Sequence, residues 1–436
     1  MFKSARLNTL LHYALCLLAF SIPTWYIFSS VCLAVVTVLW VLQFDYKQTW
    51  INIKERRKLW PWFIIYILLI LSYFYSDDKG QAAFDLKTKL AYLILPLIIG
   101  TGIGRLRRKT TERLFVWLIA GVAFTAAISL IDAALVWYPE KYFYAFFYHA
   151  LVRVVDPNAV YTAWYTLFSI SLLLFMPWQY HFQGKYKKVI ALLIAFLCVF
   201  FLLLSARMFI LLFLIFIIPY FLKKSFTSVK RGLVVSILTL IVLYGVYDTL
   251  RTSNNPLRKR YDDMINVNAK TAWLTDYSHI EEAQFDNITL RLFLWRIGIE
   301  SVADRNAWLT GLGNGDVHLA LTQKMREYKV QNIDNEDVNK RPGFYNANLH
   351  NMYIQILVMI GIPGLFALLG IVIIPFFYIH KVIPYQPFLI FHITSAIFMM
   401  QEAVLQTQAG IFFYIFISSI FWNMYYSTKE FRHKLI

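Results

Sequence analysis

The sequence is short of charged residues. Of its 436 residues, 15% are Asp, Glu, Lys or Arg, whereas a soluble domain carries about one quarter. Hydrophobic residues reach 59%, and the mean hydropathy is +0.55. Because no compact soluble fold has enough interior for this much apolar sequence, we expect lipid to be the main solvent of this chain. The same composition excludes a disordered chain and a coiled coil.

Cysteine is also scarce. The three cysteines, Cys16, Cys32 and Cys198, lie inside apolar runs, with neither a disulfide framework nor the spacing of metal ligands. We therefore expect no metal and no cofactor. The net charge of +17 is typical, in a membrane protein, of basic cytoplasmic loops and of contacts with membrane lipids. No nucleic-acid partner is expected.

Apolar runs predict an all-α integral membrane protein with about 12 transmembrane helices. The first run is long enough for two helices, with a turn at Ser21, Pro23 and Thr24. Each later run predicts one helix, although several are shorter than the ~20 residues that cross a bilayer. The runs are residues 10–44, 59–76, 90–104, 114–131, 157–184, 189–206, 208–222, 232–247, 351–379, 382–401 and 403–428. The pair 189–206 and 208–222 would form a tight hairpin.

The distribution of Lys and Arg predicts the orientation. With a cytoplasmic N-terminus, the cytoplasmic segments carry 23 of these residues and the short external loops carry 6, as the positive-inside rule requires. Four regions follow: transmembrane helices 1–9 in residues 1–247, one large external loop subdomain in 248–350, transmembrane helices 10–12 in 351–428, and a cytoplasmic tail in 429–436.

Two arginines are candidates for binding an anion, because an ionisable residue beside lipid is costly unless it has a function. Arg207 lies at the outer tip of the hairpin, where it either binds an anionic headgroup or snorkels to the interface. Arg291 lies in the first turn of a helix predicted over residues 289–302, with Thr289 as its N-cap. Free N–H groups and an arginine there would make a phosphate site. The alternative is that Arg291 is one of the thirteen basic surface residues of that loop.

His350 is the candidate for proton transfer. It immediately precedes a long apolar helix, whose positive end favours a neutral imidazole able to orient or deprotonate a hydroxyl. A capping or interface histidine is the alternative interpretation. Glu402 either binds sugar hydroxyls, balances an arginine, or is a plain helix-end carboxylate. The candidate substrate-binding residues are Asn351, Tyr345, Glu402, Gln408 and Lys89.

Glycines recur at positions 311, 313 and 315, without the lysine of a P-loop and without the strand that precedes a dinucleotide-binding turn. We expect a flexible turn there that permits close backbone approach.

Four segments together resemble the bacterial O-antigen ligase family, which includes O-antigen polymerases and protein O-oligosaccharyltransferases. The segments are Ser205-Ala-Arg207, similar to the family's Ser-Arg motif with Ala206 inserted; Arg291-x-x-x-Trp295 followed by Gly311-x-Gly-x-Gly315; His350-Asn to Gly361-Ile-Pro-Gly364; and Glu402 to Gly410. The resemblance extends roughly over residues 60–425.

This resemblance implies a glycosyltransferase-C-like fold with a large periplasmic loop, in the bacterial inner membrane, with the active site facing the periplasm. It implies an undecaprenyl-pyrophosphate-linked glycan as donor, lipid A–core or another glycan as acceptor, and no metal. The family's functional residues fall on Arg207, Arg291 and His350. The reaction would invert the anomeric centre.

Other functions remain open. A polymerase or a protein O-oligosaccharyltransferase of the same family would differ only in the acceptor. A polysaccharide transporter or flippase is an alternative from a different class, and it should carry charges near the membrane midplane and broken helices in matching halves. Because the candidate charges lie at predicted helix ends, the sequence favours an enzyme.

Overall fold

The computed structural model describes residues 5–102, 106–141, 143–178, 186–217, 269–279, 287–330 and 348–433. Within these ranges the chain is helical and has no β-strand, which confirms the all-α prediction. The α-helices are α1 (Ala5–Ser21), α2 (Tyr26–Val41), α3 (Tyr46–Glu55), α4 (Trp60–Tyr75), α5 (Lys79–Thr88), α6 (Ala91–Leu95), α7 (Arg108–Glu140), α8 (Tyr148–Leu151), α9 (Ala159–Phe175), α10 (Lys187–Leu203), α11 (Arg207–Phe216), α12 (Asn287–Asp304), α13 (Val317–Glu327), α14 (Met352–Tyr378), α15 (Gln386–Gln401) and α16 (Gln408–His433). Five 3₁₀ turns and one π-helix accompany them: Arg57–Leu59, Phe143–Phe146, Ala269–Trp273, Ile379–Lys381, Val404–Gln406 and Pro96–Gly102.

Four of the described helical segments are long and apolar enough to cross a membrane. They are Arg57–Tyr75, Arg108–Pro139, Met352–Lys381 and Gln408–Ser427. A fifth is possible if α2 and α3, which meet at 111°, form one broken span. The predicted span at 232–247 and much of the predicted loop subdomain lie outside the described residues. The total of twelve therefore stays a prediction.

Most of the apolar runs in the described ranges form helices, as predicted. The first run forms α1 and α2, and the Thr24 hydroxyl donates to the Ser21 carbonyl in the turn between them, at 2.7 Å. The predicted hairpin is present as α10 and α11. Its turn includes Ser205 in the left-handed region, with φ of 50°.

The run at 90–104 is an exception, because it does not form one regular helix. α6 ends after five residues and continues as the π-helix Pro96–Gly102. Pro96 has no N–H to donate, and glycines at 100 and 102 weaken the helix that follows. Side chains of α3 and its C-cap satisfy the carbonyls there: Asn52 donates to Thr101 at 2.6 Å, and Arg56 donates to Gly100.

The centre of the molecule is aromatic. Along α9 and α16 nearly every described side chain is buried, as expected of helices that are apolar on all faces. The Trp164 ring stacks on Phe391 of α15 at 5.9 Å and meets Phe413 of α16 edge-on at 4.7 Å. These contacts hold α9, α15 and α16 together, and the segment between α15 and α16 packs into the same core through the buried Val404 and Leu405.

α14 is broken at Ile360 and Gly361. Gly361 has φ of 73° and ψ of −170°. The turn after α12 crosses this break: the N–H groups of Leu312 and Gly313 donate to the carbonyls of Val358 and Met359, at 2.8 and 3.1 Å. A Cβ at Gly311 would lie 2.5 Å from the Ile360 nitrogen. The expected close approach of the 311–315 turn is therefore confirmed.

The bundle gathers basic residues at one end, which we call the basic end (residues 52–58, 378–381 and 423–426). Here Lys58 Nζ lies 4.4 Å from the Tyr378 ring centroid, and Asn423 donates to the Ile99 carbonyl at 2.7 Å. Predicted cytoplasmic segments thus meet at one end of the bundle. Which side of a membrane that end faces stays a prediction.

Candidate functional site

Glu402, which directly follows α15, joins two of the predicted functional residues. Its Oε2 lies 2.9 Å from His350 Nδ1, and its Oε1 lies 3.3 Å from Arg291 Nη2. The three side chains keep 22% to 34% of their surface exposed. We call Arg291, His350 and Glu402 the Glu402 cluster. One carboxylate therefore bridges an imidazole and a guanidinium that solvent can still reach.

The start of α14 positions His350. Asn351 caps this helix, since its Oδ1 accepts from the N–H groups of Tyr353 and Ile354 at 3.0 and 3.1 Å. His350 stands just before the cap, with φ of 44°. The Asn351 side chain is thus engaged in capping, whereas the sequence suggested that it binds substrate.

α12 positions Arg291. The helix begins at Asn287, two residues before the predicted start, so Thr289 is not its N-cap and the prediction on this point is wrong. Arg291 consequently lies beyond the first turn, and its guanidinium meets Glu402. We expected Arg291 and the N–H groups of the first helical turn to bind one anion together. The structure does not support this, because Arg291 lies one turn beyond those N–H groups.

Backbone contacts hold the segment that carries Glu402. The Leu405 N–H lies 3.3 Å from the Met352 sulfur, and the Leu405 carbonyl accepts from the Tyr92 hydroxyl at 2.7 Å. A Cβ at Gly410 would lie 1.9 Å from the Val404 carbonyl oxygen, so only glycine fits there. The carboxylate thus stands on a segment clamped between α6 and α14.

Arg207 lies at the same end of the bundle. It is the first residue of α11, and two residues later the Phe209 ring packs against Phe398 with centroids 5.1 Å apart. Phe398 accepts the N–H of Glu402 through its carbonyl, at 2.9 Å. The first turn of α11 therefore packs against the last turn of α15, next to the Glu402 cluster.

Residues 190–369 match the family model described as O-Antigen ligase. The resemblance to the O-antigen ligase family is confirmed. The family consists of glycosyltransferase-like enzymes, which are ligases and polymerases. The match to this family, together with the apolar helices, indicates a membrane protein. No curated protein matches the chain.

The matched segment, residues 190–369, covers less than half of the chain. It is shorter than the range, roughly residues 60–425, over which the sequence resembles the family. It contains Arg207, Arg291 and His350. Glu402 lies outside it. The residue that joins the cluster is therefore supplied by the part of the chain that follows the matched segment.

Gln408, at the start of α16, makes contacts outside the Glu402 cluster. Its amide nitrogen donates to the Tyr26 carbonyl at 2.8 Å and to the hydroxyls of Ser29 and Ser30 at 3.1 and 2.9 Å. These bonds tie the start of α16 to the start of α2. Tyr345, the other aromatic candidate, lies outside the described residues.

Lys89 is buried, with 1% of its side chain exposed. Its ammonium pairs with Asp85 and lies 3.3 Å from Asn314 Oδ1 and 3.7 Å from the Met359 sulfur. Burial lowers the pKa of Lys89, and the Asp85 carboxylate opposes that shift. In this structure Lys89 contacts the 311–315 turn and the break in α14, not the Glu402 cluster.

Two positioning contacts escaped the sequence analysis. The indole N–H of Trp295 donates to the Leu349 carbonyl at 2.8 Å, and the side-chain Oε1 of Gln355 accepts the Leu349 N–H at 3.1 Å. The only available signal was the Arg291-x-x-x-Trp295 spacing, which places both side chains on one helix face.

The chemistry of the cluster is that of proton transfer and anion binding. Among the described residues, no group of three His, Cys, Asp or Glu side chains could hold a metal ion. A half-exposed guanidinium binds phosphate oxygens through paired N–H donors. An imidazole oriented by a carboxylate accepts a proton from a hydroxyl.

Proposed function

We propose that the protein is an O-antigen ligase-type glycosyltransferase. It moves a glycan from undecaprenyl pyrophosphate to lipid A–core at the periplasmic face of the bacterial inner membrane, in which it is a multi-pass protein. The observation that carries this proposal is the convergence of His350 and Arg291 on Glu402. This convergence supports the proposal, because the reaction needs a base for the acceptor and a cation for the leaving diphosphate close together.

The arginines act on the donor. A lipid diphosphate gains negative charge as the glycosidic bond breaks, and preorganised cations lower the energy of that transition state. Arg291 lies in the cluster, and Arg207 lies on the adjacent turn of α11. Together they bind the diphosphate and stabilise its departure with the bonding electron pair.

His350 acts on the acceptor. With Glu402 accepting from Nδ1–H, the lone pair is on Nε2, a tautomer that we assign from the contact. Nε2 takes the proton of the acceptor hydroxyl while its oxygen bonds to the anomeric carbon. The bond from that carbon to the diphosphate oxygen breaks on the opposite face, so the anomeric centre inverts.

A transporter or flippase is the competing class, and the break in α14 is its strongest support, because transporters use broken helices to coordinate substrates. Here, however, the carbonyls of Val358 and Met359 at the break already accept N–H groups from Leu312 and Gly313. Carbonyls that already accept an N–H bond are less available to coordinate a substrate. This observation favours the enzyme.

The lipopolysaccharide of a deletion strain tests the reaction. Loss of a ligase should leave bare core and accumulated lipid-linked polymer on a gel. Core carrying a single repeat would indicate a polymerase instead. Unchanged lipopolysaccharide would contradict both and point to a protein acceptor or another polymer.

The residue-level prediction concerns His350→Ala. Loss of the base should lower glycan transfer about 10²- to 10⁴-fold while membrane insertion persists. The measurement is transfer from a lipid-linked donor by the reconstituted full-length protein. His380→Ala is the matched control, since His380 is exposed in the 3₁₀ turn at the basic end. Transfer at the normal rate by His350→Ala would refute the mechanism.

A further inference from the structure

His350 has an unusual backbone conformation. Its φ of 44° lies in the left-handed region, which residues other than glycine seldom adopt. Such a conformation persists only where neighbouring contacts impose it, and it is found preferentially at functional sites. The contacts around His350 therefore bear on how its imidazole is aimed.

The peptide group between Leu349 and His350 is held at both of its polar atoms. Its carbonyl oxygen accepts from Trp295 Nε1 at 2.8 Å, and its N–H donates to Asn348 Oδ1 at 2.8 Å. The plane of this peptide is one of the two that define φ of His350. Fixing both polar atoms fixes this plane, and the plane together with φ of His350 sets the direction in which the side chain leaves the backbone.

One face of α12 supplies this support. Arg291, Trp295 and Gly298 are spaced at i, i+4 and i+7, which places them along a single stripe of the helix. Arg291 pairs with Glu402, and Trp295 holds the Leu349 carbonyl. At Gly298 a Cβ would lie 2.8 Å from the side chain of Leu349, so glycine leaves room for that buried residue.

We propose that Trp295 is a positioning residue for the transfer reaction. Its indole N–H sets the plane of the Leu349–His350 peptide and thereby keeps the imidazole on Glu402. The same helix face thus fixes both partners of the carboxylate relative to each other. This inference rests on the proposed function only in treating His350 as the base.

The test substitutes Trp295→Phe in the reconstituted full-length protein, which removes the donor and keeps an aromatic ring. The kcat for glycan transfer should fall about tenfold, because His350 is misaimed. The KM for the lipid-linked donor should stay within about twofold, because Arg291 is unchanged. Trp308→Phe is the matched control, since the Trp308 indole is 37% exposed in the turn after α12.

A second readout is independent of transfer. Diethyl pyrocarbonate modifies accessible imidazoles, and mass spectrometry reports the rate at His350. Labelling should be severalfold faster in Trp295→Phe than in wild type, and unchanged in Trp308→Phe. If the wild type transfers no glycan, the proposed function fails while the labelling rates still test the role of Trp295.

Asn348→Ala is a second variant for the case in which Trp295→Phe does not fold. It removes the acceptor of the His350 N–H, which is the other polar atom of the same peptide. It should also speed the labelling of His350. Unchanged labelling and unchanged kcat in whichever of these variants folds would overturn the proposal.

Discussion

The cations at the two ends of the bundle make different contacts. At the basic end Lys58 lies within 5.7 Å of three tyrosine rings, Tyr378, Tyr425 and Tyr426, and Arg56 is buried against the Gly100 carbonyl. In the Glu402 cluster, Arg291 and His350 share one carboxylate and remain about a third exposed. The number of cations therefore does not locate the site. The carboxylate that an arginine and a histidine share does locate it.

The largest expected difference between the two ends is tested by removing one cation from each. Arg291→Ala should lower transfer about 10²- to 10³-fold, as does the loss of one donor to a developing anion. Lys58→Ala should leave transfer within about twofold, because Lys58 contacts aromatic rings near the ends of α14 and α16 that lie away from the cluster. Initial rates with the lipid-linked donor are the measurement. Equal losses in the two variants would abolish the distinction between the ends.

The next effect concerns the carboxylate itself. Glu402→Gln keeps the size of the side chain but removes the charge that His350 and Arg291 share, so transfer should fall about 10- to 100-fold, as expected for losing charged hydrogen bonds of about 1.5–3 kcal/mol. The matched control is Glu300→Gln, which breaks a comparable ion pair with Arg296 on α12 and changes the group that accepts from the Tyr328 hydroxyl. A larger loss in the control than in Glu402→Gln would contradict the assigned role.

The smallest effect on transfer is expected for Lys89→Met. Because Lys89 is buried, transfer per folded molecule should stay within about threefold, while stability falls by about 3 kcal/mol as Asp85 loses its partner. Thermal unfolding in nanodiscs measures the loss, and Asp85→Asn in the same chain should recover part of it. A raised donor KM with unchanged stability would instead support the substrate-binding role that the sequence suggested.

Helices and motif residues were largely predictable, because both depend on short stretches of chain. Apolar runs found α4, α7, α9 and the α10–α11 hairpin, since the free energy of burying a helix in lipid is set by its own composition. The run at 90–104 failed because hydrophobicity does not report the missing N–H of Pro96. The start of α12 failed because a threonine can lie inside a helix as well as cap it.

The contacts of Glu402 with His350 and Arg291 could not be predicted in the same way. Glu402 is 52 residues from His350 and 111 from Arg291, so their contacts depend on how α12, α14 and α15 pack. The same holds for Trp295, which is 54 residues from the carbonyl that it holds. Local pattern was enough to nominate an arginine and a histidine as functional candidates. Helix packing alone decided that they share one carboxylate, because contacts between distant segments depend on the arrangement of whole helices.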